Sequence, residues 1–418
     1  MSDDGLSPSD RRALASVAVQ FFVNGALFAS FVPRLPEIRD RIEIGNDALG
    51  RLLAIGALSG LVGSALVGRA VERFGTRNLL WVAGVCLCSS LSIVGLATAP
   101  AVLVIGLASL AIFDVLVDTA MNLQGSWISG RRRAPVMNRL HGLWSLGTVV
   151  GGVAASQLAG VGVTLRVHLL AVSAILLVVV IVVGAGLLRT DEHASLVDGP
   201  AADGTGAAGP MAGTPGGIGL EPIIAAGGSL VGADRARRRF RGPLLVFALV
   251  GGCSIAMELT SSDWAAIRLT DDFGASAGIA GLAYVAFTVG MTIGRFGGDS
   301  MIFRFGHQRV ADIGIVVTIV GLVVAAFVPN QWIVVLGYLA AGLGIATQFP
   351  KLYDDAAKHP GRPGVGLGAL TGGSRVALLV TPIAVGTLAT SRLSVGAATA
   401  ILTVPAAAVF VVATRRSA

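Results

Sequence analysis

The sequence predicts an all-α integral membrane protein, with twelve transmembrane helices in two six-helix bundles related by pseudo-symmetry. Three observations carry this expectation. Apolar runs of roughly 20 residues, the length that crosses ~30 Å of hydrocarbon, recur twelve times, centred near residues 22, 58, 88, 113, 150, 177, 255, 287, 319, 341, 376 and 403. The chain is 54% apolar and 13% charged, with a mean hydropathy of +0.79, and no soluble core of 418 residues needs so many such runs. Its two halves also align on each other at a constant offset of 231 residues. Arg73-Phe74-Gly75 falls on Arg304-Phe305-Gly306, and Gly50, Gly63, Gly106 and Gly142 fall on Gly281, Gly294, Gly337 and Gly373. Two six-span parallel repeats are a construction of membrane transporters, which bind substrate near the bilayer midplane between halves.

Taken in chain order, the polar opening MSDDGLSPSDRR has no cleavable signal pattern, so the first span is expected to stay in the mature protein. Residues 1–189 read as the first bundle. Residues 190–240 break the pattern: the stretch is rich in Gly, Ala and Pro without amphipathic period, and reads as a flexible cytoplasmic linker. Its end, RARRRFR at 235–241, suits anionic headgroups. Residues 241–418 read as the second bundle. Cys86, Cys88 and Cys253 make no disulfide framework and read as small buried hydrophobes.

The net charge of +7 is placed unevenly. With twelve spans, alternate loops share a side, and 23 Lys and Arg fall with the termini against 7 on the opposite side; Arg375 lies inside a span. Positive residues mark the cytoplasmic side. The expected placement is therefore multi-pass in the cell (inner) membrane with both termini cytoplasmic. The basic charge is a topology signal and does not imply a nucleic-acid partner.

Ionisable groups deep in spans cost ~2.5 kcal/mol or more at the bilayer centre and so mark function by default. They are Asp114 and Asp118 in span 4, His141 in span 5, Glu258 in span 7 and Arg375 in span 11. At ~1.5 Å per helical residue, Asp114, Glu258 and Arg375 lie 17, 17 and 16 residues from their cytoplasmic loop centres, near the midplane. Asp118 and His141, at 13 and 10 residues, lie about a turn nearer the cytoplasm. Stripes at helical spacing extend the layer: Asp114, Asp118 and Asn122; Ser254, Glu258 and Ser262; His141, Ser145 and Thr148; Tyr284, Thr288 and Thr292. Gln20 and Asn24 in span 1 can join them.

A carboxylate held at that depth is disfavoured as the anion and can take up a proton near neutrality. Asp118 and Glu258 are the expected proton carriers, with His141 placed to modulate Asp118. Asp114, Asn122, Asn24, Trp144, Asp263, Trp264, Tyr284 and Arg375 are the expected solute contacts, since hydroxyls, amides and a few aromatics suit a small polar solute. Arg375 has a second reading, as the neutralising partner of Glu258 or Asp114.

At GRAVERFGTRN, 68–78, the sequence resembles the loop 2–3 signature of the major facilitator superfamily, Gly-x-x-x-Asp/Glu-Arg-x-Gly-x-Arg. Gly68, Glu72, Arg73, Gly75 and Arg77 occupy its positions, and the resemblance implies a cytoplasmic latch made of charge pairs. In the second copy, GRFGGDSMIFRFGHQR at 294–309, Phe303 takes the acid's place and Asp299 stands one turn earlier; Arg295, Asp299 and Arg304 are the latch residues expected there. In that architecture spans 1, 4, 7 and 10 line the cavity, spans 2, 5, 8 and 11 flank it, and spans 3, 6, 9 and 12 face lipid. The ionisable groups avoid the last four at depth.

The stretches DTAMN (118–122), HGLWSLGT (141–148), ELTSSDW (258–264) and GMTIGRFGGD (290–299) are similar to inner-membrane proteins of the YbjJ type and to the fucose permease-like branch. That resemblance implies proton-coupled sugar symport, and passes the role of a span 4 acid to Asp118. It leaves span 1 without its acid, since Gln20 and Asn24 are what that span offers. Arg375 has no counterpart in it and keeps an anionic solute open.

The sequence thus points to a secondary transporter of a small polar solute, sugar or sugar acid, by alternating access and proton symport. The alternative is a proton-antiport exporter of metabolites or toxic compounds. Such antiporters carry a Gly- and Pro-rich run in span 5, and GTVVGG at 147–152 has the glycines without the proline. The expected partners are the solute, a proton and the bilayer, with the chain acting as a monomer. No cofactor and no enzymatic activity are expected: the G-x-G-x-G run at 364–368 opens a span with no strand before it.

Overall fold

The computed structural model describes residues 7–132, 136–188, 241–346, 348, 352, 356, 365–390 and 393–417; the expected linker, 190–240, lies outside them. Among the described residues every regular element is a helix. They are α1 (Pro8–Phe31), a 3-10 turn at Val32–Arg34, α2 (Leu35–Arg41), α3 (Asn46–Leu96), α4 (Pro100–Arg132), α5 (Met137–Gly160) and α6 (Leu165–Gly184). The second half supplies α7 (Arg241–Ser262), α8 (Ala265–Phe273), α9 (Ala277–Phe305), α10 (His307–Phe327), α11 (Gln331–Ile345), α12 (Val365–Ala389) and α13 (Val395–Ser417).

Nine helices among the described residues are long and apolar enough to cross a bilayer. One of them, α3, is two spans joined at Gly75, whose φ of 69° and ψ of 161° break the helix. With α5 and the shorter apolar α11 the described residues make twelve spans, centred where the hydropathy placed them. The polar ends set the boundaries. Asn330 accepts hydrogen bonds from the backbone N–H groups of Trp332 and Ile333 at the start of α11, and Thr164 accepts one from Val167 at the start of α6. Gly274, in the left-handed region at φ 64°, closes α8.

The 231-residue repeat is present in three dimensions. Gly306, the counterpart of Gly75, takes φ 82° and ψ 152°, so both Arg-Phe-Gly turns bend the chain with the same backbone that side chains rarely adopt. A Cβ on Gly63 would stand 2.7 Å from the Ile112 carbonyl oxygen, and one on Gly294 would stand 2.7 Å from that of Leu343. A Cβ on Gly106 would meet Val94 N at 3.1 Å, and one on Gly337 would meet Ala325 N at 2.9 Å. Each glycine pair obeys the same offset, so equivalent helices cross at equivalent points. In a bilayer, where lipid is as apolar as any helix, such close backbone approach is what drives association.

By internal contacts the chain forms two compact units. The first holds α1, residues 55–96, α4, α5 and α6; the second holds residues 32–54 together with α7 to α13. In the first unit α1 and α5 touch backbone to backbone, with Gly147 against the Phe22 carbonyl and Gly151 against that of Ala26. In the second, α7 and α12 do the same through Gly251 against Leu370 and Gly373 against Ala248. The second unit's core is a continuous cluster that includes Met257, Phe287, Met291, Tyr338 and Phe410.

Candidate functional site

Each unit buries a polar group among its spans. In the first unit a chain of hydrogen bonds runs through Asn24, while Asn122 Oδ1 and Gln20 Nε2 are buried there without a partner among the described residues. Asn24, on α1, donates through Nδ2 to Asp114 Oδ1 on α4 at 2.7 Å, and its own Oδ1 accepts from Trp144 Nε1 on α5 at 2.8 Å. All three residues are buried. One amide thus ties together three spans, and both its donor and its acceptor are used. Along α4 the expected stripe holds: Asn122 Nδ2 donates at 2.9 Å to the Asp118 backbone carbonyl and at 2.9 Å to its Oδ1. Asp114 and Asp118 stand one turn apart, each within the other's electrostatic reach. His141, on α5, presents its ring edge-on to Phe21, with centroids 5.1 Å apart.

In the second unit the group is open. Glu258 on α7 is 1% exposed, and neither of its carboxylate oxygens has a hydrogen-bond partner. The same holds for Ser254 Oγ one turn earlier, for Trp264 Nε1 and for the Tyr284 hydroxyl on α9. Glu258 lies in the field of the Arg295 guanidinium and of the Asp263 carboxylate, and Tyr284 lies in that of both acids. Asp263 accepts a 2.9 Å hydrogen bond from the Ser262 hydroxyl. Arg295 follows Tyr284 by eleven residues, three turns along one face of α9. Arg375 is half-buried on α12.

Polar atoms buried without partners cost ~1–3 kcal/mol each, and native proteins keep few of them. Four side chains carry such atoms on α7, on the break after it and on α9, and one of them is a carboxylate. Two donors (the Trp264 indole and the Tyr284 phenol), a hydroxyl and a carboxylate can together grip hydroxyl groups, and the carboxylate can hold a proton in place of a solute hydrogen.

The latch residues are placed as follows. Gly75 is the sharp turn itself. Arg77 donates to the Ala185 carbonyl at 3.2 Å, at the end of α6. Arg73 lies over the Phe74 ring and Arg304 over that of Phe305, at 5.7 and 5.9 Å from the centroids. Glu72 is exposed, and nothing stands within 4 Å of where a Cβ on Gly68 would be. The Asp299 side chain lies outside the described residues. Arg295, expected in the latch, is half-buried and lies within electrostatic reach of Glu258. Sequence reasoning missed Gln124. It is fully buried, donates to the Thr76 hydroxyl and the Leu188 carbonyl at 3.3 Å each, and accepts from Leu188 N at 3.2 Å. It pins the turn after Gly75 to the end of the first six spans; an amide in an apolar run two residues past Asn122 was its signal.

Among the described residues no group of His, Cys, Asp and Glu has the arrangement to hold a metal ion.

These features define a polytopic membrane protein with a polar site inside its spans, built as a sequence repeat. A family model described as Major Facilitator Superfamily matches residues 17–262, and the chain belongs to that family. It is 26% identical over 406 residues to an uncharacterized MFS-type transporter of Yersinia pestis, covering 94% of each chain. It is 23% identical over 358 residues to the membrane protein MosC of Rhizobium meliloti, covering 84% of this chain and 77% of MosC. Among solved structures the fold is similar to the nucleoside transporter NupG, with a TM-score of 0.66 at 13% identity, over 98% of each chain. It is also similar to a bacterial homologue of the human lysosomal transporter Spinster, at 0.64 and 15% over 98% of each. The protein is a multi-pass membrane transporter of that superfamily.

Proposed function

We propose that the chain moves a small polar solute, a sugar or sugar acid in chemistry, by proton symport. The observation that carries this reading is the open set in the second unit: Glu258, Ser254, Trp264 and Tyr284, buried yet without hydrogen-bond partners. A neutral solute rich in hydroxyls would satisfy the indole, phenol and carboxylate together, and Arg375, on α12 of the same unit, would accept a solute carboxylate. Glu258 and Asp118 carry the proton, with His141 on α5 modulating the second. Asn122, Asp114, Asn24 and Trp144 are the solute contacts in the first unit. The stretches that resemble the fucose permease-like branch support the same direction, and the nucleoside named for NupG is another hydroxylated solute.

The missing proline weighs against the antiport reading. Gly147 and Gly151 are accounted for by the close approach of α5 to α1, and the run lacks its proline. The asymmetry of 23 against 7 basic residues supports cytoplasmic termini in the inner membrane.

A thermal-stability screen of the purified protein against sugars, sugar acids and nucleosides tests the site, because a ligand stabilises by RT ln(1 + [L]/Kd). A solute that binds raises the melting temperature of the wild type and fails to raise that of Trp264→Ala. Equal shifts in both proteins would remove the second unit's set from solute binding.

A further inference from the structure

The short helix α8 follows the site by a single turn. α7 ends at Ser262, Asp263 and Trp264 make the break, and α8 begins at Ala265. The whole arrangement lies in the second unit, at the end opposite the chain termini by the count of spans. From α8 three side chains reach three different segments at that end.

Arg268 donates through Nε to the Ala325 carbonyl at 3.3 Å and through Nη2 to that of Ala326 at 3.1 Å, satisfying the last turn of α10. Asp272 accepts from Val395 N at 3.0 Å and Gly396 N at 2.9 Å, the first residues of α13, and is paired with Arg268. A carboxylate at a helix N-terminus is favoured by the free N–H groups and the helix dipole. Asp271, the neighbouring acid, points to side chains instead. Its Oδ2 accepts from Arg39 Nη1 at 2.6 Å and from Asn46 Nδ2 at 2.9 Å, and Arg39 also donates to Asn46 Oδ1 at 2.7 Å. Arg39 and Asn46 belong to residues 32–54, which also meet α12 backbone to backbone: Gly50 against the Pro382 carbonyl and Gly386 against that of Asn46.

The two acids differ in what release would cost. Freeing Asp272 strands backbone N–H groups and the Arg268 guanidinium, in a pair only 6% and 10% exposed. Freeing Asp271 strands little. Arg39 already donates to Asp40 at 2.8 Å, so its guanidinium keeps an acceptor, and Asp271 at 22% exposure is open to water.

We propose that α8 is a keystone in which Asp272 is a fixed anchor and Asp271 a releasable clasp on residues 32–54, with Asp263 and Trp264 passing the state of the buried set to the clasp. Asp271, Arg39 and Asn46 are then positioning residues for transport, setting whether residues 32–54 stay held to α8. The inference rests on the transport reading only for the purpose of the movement, and its readout needs no solute.

The experiment places a cysteine at the fully buried Leu49 (Leu49→Cys) in a background of Cys86→Ser, Cys88→Ser and Cys253→Ser, and follows its labelling by a fluorescent maleimide in detergent. Size-exclusion profile and melting temperature report the fold. Asp271→Ala loses the two hydrogen bonds to its carboxylate and is expected to speed labelling at least about tenfold, with the melting temperature kept. Arg39→Ala should do the same, and the double variant should be no faster than either. Asp272→Asn should lower the melting temperature instead. Trp264→Ala should change the rate when Asp271 is present and leave it unchanged in Asp271→Ala. Labelling of Asp271→Ala at the parent rate overturns the clasp, a faster rate in Asp272→Asn with unchanged melting overturns the division of roles, and additive effects of Trp264→Ala and Asp271→Ala overturn the link to the site.

Discussion

The polar groups of the two units solve the same problem in opposite ways. In the first, Asp114 is met by Asn24, and Asn24 by Trp144, so a buried acid is built into the packing of three spans. In the second, Glu258 sits equally deep with both oxygens bare, among an indole, a phenol and a hydroxyl that are also bare. A satisfied network rigidifies, whereas an unsatisfied one waits for a partner. Intramembrane acids in one chain need not share a role: Asp114, tied to Asn24 and Trp144, reads as a frame, whereas Glu258 in the second unit and Asp118 one turn from Asp114 read as proton sites.

The contrast can be broken or sharpened by substitution. The largest effect is expected in transport. Glu258→Gln should reduce proton-driven accumulation by about a hundredfold, the scale at which a positioned proton-transfer group acts, with the melting temperature held or raised because a bare buried carboxylate is removed; uptake and melting curves read the two arms. Next is stability in the first unit. Asn24→Ala leaves the Asp114 carboxylate and the Trp144 indole unpaired and should cost about 2–4 kcal/mol, read as a lower melting temperature or loss of folded yield. If Asn24→Ala melts like the wild type while Glu258→Gln collapses, the assignment of frame and proton site is reversed. The repeat gives a paired prediction: Gly63→Ala and Gly294→Ala press a Cβ on equivalent carbonyls and should each cost about 1–3 kcal/mol, and a large difference between them would break the equivalence. The smallest effect is Tyr284→Phe. Its hydroxyl has no protein partner, so stability should change by less than about 0.5 kcal/mol while solute affinity falls.

Much of this was legible in the sequence because hydrocarbon imposes simple rules. Span number and centres follow from run length, and the offset of 231 residues located Gly75 with Gly306, Gly63 with Gly294 and Gly106 with Gly337 before any coordinates. The stripe of Asp114, Asp118 and Asn122 followed from helical spacing. What spacing cannot give is the partner on another helix. The bond from Asn24 to Asp114 spans 90 residues and that from Arg39 to Asp271 spans 232, and neither leaves a local pattern. Arg295, expected in the second latch from the repeat, also lies within electrostatic reach of Glu258, which no local pattern announces. Arg39, counted only for its charge, proved to be held by Asp271 and Asn46.

The central claim is that buried acids couple solute movement to protons. Its most direct measurement is uptake by proteoliposomes of a solute found in the stability screen, under an imposed proton gradient, with wild type beside Asp118→Asn. The account predicts accumulation above the outside concentration by the wild type, collapse of that accumulation with a protonophore, and exchange without accumulation in the variant. Uphill uptake that survives both the protonophore and Asp118→Asn would contradict it.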